Sequence, residues 1–96
     1  MNDYLLKLQK NKENKLKLKK ESYNKIFNLL NKKIIFNIEN NMKDCYLNVP
    51  PFILGIPPYK IDSCCKYIIS KLKKKGLENS IYIEPNIIYI NWEHLL

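Results

Sequence analysis

The sequence predicts an α+β fold with an N-terminal helix (or helices), a three-stranded antiparallel sheet and one basic helix placed directly before a C-terminal hairpin. Three observations carry that prediction. Tyr23, Ile26, Phe27, Leu30, Ile34 and Ile38 recur at helical spacing. Ile61, Cys65, Ile68 and Leu72 do the same at i, i+4, i+7 and i+11, ahead of Gly76. Two further runs, 45–49 and 80–92, alternate as strands do. A chain of 96 residues that is 46% hydrophobic suits one folded domain rather than a disordered segment.

Taken in order, residues 1–20 read as a basic, weakly helical N-terminal arm, and residues 21–96 as a single α+β domain. Leu5, Leu8 and Leu16 share a stripe in the arm, but Lys12 and Lys19 interrupt it. Such a segment is either a solvated arm or a helix ordered by packing or by a partner. The stripe sharpens from Glu21, and Asn40-Asn41 marks the expected stop. If the two segments form one long helix, its first half projects or pairs with a second copy.

Cys45, Leu47 and Val49 alternate with Tyr46 and Asn48 as a half-buried strand. Pro50-Pro51 ends it, because proline cannot donate to a ladder. Residues 52–59 form an apolar stretch bracketed by proline pairs, expected as a packed loop with Phe52, Leu54 and Ile56 as lids on the core. The next helix, Ile61–Gly76, is expected to be capped by Asp62 or Ser63. Lys73, Lys74 and Lys75 lie in its last turn, where the helix dipole is negative. Gly76 followed by Leu77 is the pattern of a left-handed stop.

A two-residue turn at Pro85-Asn86 would pair Ile83 with Ile88, Tyr82 with Tyr89 and Ile81 with Ile90. That register sorts Ile81, Ile83, Ile88, Ile90 and Trp92 onto one face, and Ser80, Tyr82, Glu84, Tyr89 and Asn91 onto the other. The order of elements is that of a winged-helix domain, with the basic helix as reader and the hairpin as wing. The proline-rich loop stands where such a domain has a further helix.

All 17 basic residues are lysines, and the net charge is +8. Residues 1–43 hold eleven lysines and four acids, and five of the remaining six lysines fall between Lys66 and Lys75. This imbalance points to an anionic partner. An A/T-rich coding sequence, which favours Lys, Asn and Ile, is the competing source of the lysines. No apolar run is long enough to span a bilayer, and the opening Met1-Asn-Asp-Tyr4 does not read as a secretory signal. Three cysteines, Cys45, Cys64 and Cys65, read as reduced thiols of a cytosolic or nuclear protein.

Catalytic chemistry finds no support in the residues. His94 stands alone, the nine acids are scattered, and Gly55 and Gly76 are too far apart for a phosphate loop. No cofactor, metal, membrane or small-molecule substrate is expected. The adjacent Cys64-Cys65 lacks zinc-ligand spacing, and Cys65 is expected in the core with Cys64 at its edge. The candidate site is nucleic-acid-binding: Lys66, Lys71, Lys73, Lys74 and Lys75 on the helix, with Lys15, Lys17, Lys19 and Lys20 on the arm. Lysine is a flexible point charge, whereas base-specific reading of guanine is mostly arginine's role. Phosphate contacts of low sequence preference, on double-stranded DNA, are therefore expected. A solvated lysine face is the plainer alternative. Tyr46, Asn48, Tyr82, Tyr89 and Asn91 form a second candidate surface, able to stack unpaired bases or simply to stabilise the sheet.

From Tyr46 to Trp92 the chain resembles a small protein family of the nucleocytoplasmic large DNA viruses, the giant viruses. The resemblance lies in Val49-Pro50, Phe52, Gly55, Pro57 and Tyr59, a cysteine at the helix start, Tyr67-Ile68-Ile69, Leu72 and Gly76. It closes with Tyr82, Pro85-Asn86, Ile90 and Trp92. Lys60 and Leu77 depart from the family's usual Asp and Phe, and the arm before Glu21 plays no part. The resemblance implies a viral protein working in a cytoplasmic viral factory or the host nucleus, or packed in the virion. The expected function is non-enzymatic nucleic-acid binding in genome organisation or packaging. A protein-interaction or structural module is the alternative: a homodimer through the N-terminal helices, or a virion component, with the Pro50–Tyr59 loop as contact surface.

Overall fold

The computed structural model describes residues 3–96; Met1 and Asn2, part of the opening read above for a signal, lie outside the described residues. The elements run α1 (Asp3–Glu39), β1 (Asp44–Asn48), α2 (Ile61–Lys74), β2 (Ser80–Ile83) and β3 (Ile87–Asn91), followed by a 3₁₀ turn at Glu93–Leu95. The sheet has the order β1-β3-β2 with both pairings antiparallel, so the last strand is the central one. The fold is α+β, as the alternating and helical periodicities predicted.

The two N-terminal helical segments are one continuous helix of 37 residues. At about 1.5 Å per residue it is some 55 Å long, which accounts for the 61 Å long axis of the molecule. Its C-terminal half packs on the sheet and on α2, burying Tyr23, Ile26, Phe27 and Ile34, while Ile38 is exposed. Before Ser22 every side chain described is exposed, Leu5 and Leu8 included. The side chain of Leu16, the third member of that stripe, lies outside the described residues. Ser22, the first buried residue among those described, donates to the Leu18 carbonyl 2.9 Å away.

Both helices end in the same way. Asn41 adopts φ 60°, its N–H reaches the Ile38 carbonyl at 3.1 Å, and the Met42 N–H reaches Asn37 at 2.9 Å. Gly76 adopts φ 107°, with its N–H on Lys73 at 3.2 Å and the Leu77 N–H on Leu72 at 3.0 Å. Each is a 5→2 and 6→1 pair, and Leu77 packs against the core after the second. The other end of α2 differs from expectation. Lys60 is the N-cap residue and no side chain caps the turn, so neither Asp62 nor Ser63 fills that role. The cap falls two and three residues before Asp62 and Ser63, which lie inside the first turn of the helix.

The core joins the α1 residues to Cys45, Leu47 and Val49 of the first strand, to Cys64, Cys65, Ile68 and Leu72 of α2, and to Ile88, Ile90 and Trp92. Cys64 is as fully buried as Cys65, not at the edge. α2 touches both α1 and the sheet, so a wide arc of its surface is covered.

The hairpin register is one residue from the expected one. Ser80 pairs with Ile90, Ile81 with Tyr89, Tyr82 with Ile88 and Ile83 with Ile87, across a three-residue turn Glu84-Pro85-Asn86 with a cis Glu84–Pro85 bond. Asn86 is not free to be a turn corner: its carbonyl accepts from the Val49 N–H at 2.8 Å and its Nδ2 donates to the Val49 carbonyl at 3.2 Å. Those bonds extend the β1–β3 ladder by one pair. The slip moves every β2 side chain to the other face. Ile81 and Ile83 are therefore exposed, while Ser80 is buried and its hydroxyl donates to the Leu77 carbonyl at 2.8 Å. The proline-rich loop is corrected as well. Phe52 and Leu54 point to solvent, and Ile53 and Ile56 are the residues packed on the core.

Candidate nucleic-acid interface

The apolar spacing of α2 decides which lysines are free. With Cys64, Cys65, Ile68 and Leu72 buried, helical geometry puts Lys66, Ser70, Lys73 and Lys74 on the opposite side, and all four are exposed. No acid occurs between Lys66 and Lys75; Asp62, four residues before Lys66, and Glu78, four residues after Lys74, are the acids nearest this face in sequence. Among the described residues the ion pair within contact distance is Lys43–Glu93 at 3.3 Å, on another part of the surface.

Lys71 and Lys75 are not on that face. The Lys71 ammonium donates to Asn24 Oδ1 at 2.6 Å and lies 4.5 Å from the centroid of the Phe27 ring; that of Lys75 lies 5.3 Å from the same ring. Tyr67 donates to the same Asn24 oxygen at 2.7 Å. These groups form the seam between the helices, where the cations are held by a ring face and an amide oxygen. The predicted cluster of five therefore divides into three outward lysines and two that face α1.

Lys15, Lys17, Lys19 and Lys20 are exposed on the projecting part of α1. Their spacing spreads them round the helix instead of along one stripe. Lys19 and Lys15, one turn apart, border a groove of about 510 Å³ between α1 and the loop. Leu18, Ser22, Tyr23, Pro57, Pro58, Tyr59 and Lys60 complete its walls. The Tyr59 hydroxyl donates to the Pro50 carbonyl, which fixes that ring. Sequence reasoning missed this groove. Pro57-Pro58-Tyr59-Lys60 is a conspicuous run, but only the tertiary fold sets it beside residues some forty positions earlier.

On the outer sheet face Tyr46 and Tyr89 are direct partners, with ring centroids 4.6 Å apart. Tyr89 donates to Asp44 Oδ2 at 2.9 Å and accepts from Asn91 Nδ2 at 3.1 Å. Asn48 lies on the same face, whereas Tyr82 is removed from it by the register and donates to the Pro85 carbonyl at 2.7 Å. The predicted Tyr82–Tyr89 pair is replaced by Tyr46–Tyr89.

Burial pushes the Cys64 thiol up to about 12, with Cys65 adding to it, and the Cys65 thiol up to about 11, with Asp62 adding to it. Burial raises Cys45 in the same way. The thiolate, which is the nucleophile and metal ligand, is disfavoured at all three. His94 is exposed, its Nδ1 3.3 Å from Asn79 Nδ2. Among the described residues no three His, Cys, Asp or Glu side chains gather as a metal site. No helix among them is long and apolar enough to cross a membrane.

Comparison with known proteins gives the chain its relatives. A family of unknown function (DUF5759) matches residues 5–73. The match takes in the lysine-rich start, which the resemblance above left aside, and stops before the hairpin. An uncharacterized protein of Acanthamoeba polyphaga mimivirus is 34% identical over 89 residues, covering 88% of this chain and 72% of the relative. No solved structure matches the chain significantly. On both the family match and the mimivirus relative, the chain belongs to this family of unknown function, one with a giant-virus member.

Proposed function

We propose that the protein is a non-enzymatic nucleic-acid-binding protein of a large DNA virus, serving genome organisation or packaging. It holds double-stranded DNA through phosphate contacts of low sequence preference. The observation that carries this reading is the outward face of α2, where Lys66, Lys73 and Lys74 stand exposed, without ion-pair partners among the described residues, immediately before the hairpin. α2 packs against β2 and β3 of the hairpin, and a helix used as reader with a hairpin as wing, as in a winged-helix domain, is the use this reading gives them. Lysines of the projecting arm extend the positive surface.

Fluorescence anisotropy on a short duplex across a salt series tests it. Each phosphate contact contributes about −0.9 to the slope of log affinity against log salt. The triple variant K66E/K73E/K74E should weaken binding and reduce the slope magnitude by about 2.7. An unchanged slope sinks the α2 assignment.

A second reading, a homodimer or protein-interaction module, has its own support. Leu5, Leu6, Leu8 and Leu18 are exposed along the arm, and Phe52 and Leu54 on the loop, the last at 89%. Sedimentation would report a dimer that is lost when Leu5 and Leu8 are changed to lysine.

A further inference from the structure

The groove between α1 and the proline-rich loop combines two chemistries that few ligands satisfy together. Its walls are flat and apolar: Pro57, Pro58, Tyr59 and Tyr23. Its charged members, Lys15, Lys19 and Lys60, are all cationic, all exposed, and without an acid among the lining residues. Its volume of about 510 Å³ falls within the roughly 300–1,000 Å³ of small-molecule sites.

We propose that this groove is a nucleotide site, in which a nucleobase lies against the Pro57-Pro58-Tyr59 wall and the phosphate is held by Lys15, Lys19 and Lys60. A planar, largely apolar ring gains from stacking on an aromatic or proline surface. The phosphate supplies negative charge to a groove whose charged lining residues are three lysines. Tyr59 is suited to the wall because its hydroxyl is tied to Pro50, so its ring is ordered before a ligand arrives. An acidic peptide without aromatic or proline side chains, such as polyglutamate, would satisfy the lysines but leave the wall without a matching partner. A free nucleotide and an unpaired nucleotide within a strand share the required chemistry. The site goes beyond duplex binding by α2, and it stands or falls separately, because Lys60 lies in the groove and Lys66, Lys73 and Lys74 do not.

The test is an NMR titration of the full chain with adenosine triphosphate, inorganic triphosphate, adenosine, and a short single-stranded oligonucleotide. The expected result is saturable shifts at Lys19, Tyr23, Tyr59 and Lys60 with adenosine triphosphate, at least tenfold tighter than with inorganic triphosphate or adenosine alone. K60E should weaken that binding about tenfold, while K66E/K73E/K74E leaves it within twofold. Shifts at the groove with the oligonucleotide alone would support the site with a strand as its source. Equal affinity for inorganic triphosphate would overturn it, since the wall would then contribute nothing. So would shifts confined to α2, no binding of any nucleotide, or equally tight binding of polyglutamate. A melting curve of K60E matching the parent shows that any loss is not a folding defect.

Discussion

The Lys33 ammonium donates to the main-chain carbonyl of Tyr46 at 2.6 Å, and four residues later on the same helix Asn37 Nδ2 donates to the carbonyl of Asp44 at 3.1 Å. One helical turn rises about 6 Å over four residues, and two strand residues span about 6.7 Å. Side chains at i and i+4 on α1 therefore match alternate carbonyls on β1. That strand is an edge of the sheet, and α1 covers the row of acceptors that an edge leaves open.

Removing that cover has a measurable cost. Asn37→Ala should lower stability by about 1 kcal/mol, the net worth of one partly buried hydrogen bond, and Lys33→Ala, at an exposed site, by less. Urea unfolding measures both. The double variant should also aggregate more readily on warming, as an uncovered edge strand does. An unchanged midpoint for Asn37→Ala would show the contact to be incidental.

The stop of α2 depends on Gly76. An alanine there must hold φ near 107°, a region costing a non-glycine residue roughly 1–2 kcal/mol. Gly76→Ala should be destabilised by about that amount, read from the denaturation midpoint at constant slope. The space around Gly76 is open, so backbone conformation and not a clash would be the cause.

The hairpin register can be read by exchanging faces. Ile83→Thr, at an exposed position, should change stability by less than about 0.5 kcal/mol. Ile88→Thr puts a hydroxyl and a cavity into the fully buried core and should cost about 2 kcal/mol or more. The two-residue turn would make both substitutions costly.

The thiols couple stability to high pH. Burial raises Cys64 and Cys65 from an ordinary value near 9 to about 12 and about 11, so between those limits the native state keeps protons that the unfolded chain releases. Stability from this source is therefore complete below about pH 9 and declines as pH rises toward 11–12. Urea midpoints across that range should fall, and fall less in C64A/C65A. At pH 8 iodoacetamide should modify the native chain far more slowly than the unfolded one; equal rates would contradict the burial.

Much of this architecture is legible along the chain because it depends on near neighbours. Helical spacing at Tyr23, Ile26, Phe27 and Ile34, and at Cys65, Ile68 and Leu72, names the buried faces of both helices. Asn41 and Gly76 mark their ends because few residues tolerate positive φ. Cys45, Leu47 and Val49 declare the inner face of β1. Lys66, Lys73 and Lys74 are outward for the same periodic reason.

The features that escaped the sequence are those set by residues far apart in it. The hairpin register was undetermined by its own alternation, because isoleucines occupy both parities; the bonds between Asn86 and Val49 settled it. Lys71 and Lys75 look like their neighbours until α1 brings Asn24 and Phe27 beneath them. Phe52 and Leu54, apolar enough for a core, are outside because Ile53 and Ile56 take the places the loop has to offer. The sequence by itself determined the elements, the buried faces of both helices and of β1, and the excess of positive charge, since those follow from local periodicity and composition. Only the tertiary structure decided which lysines remain free, which residues share the groove, and which edge of the sheet α1 covers, because each is a contact between segments that local spacing cannot align.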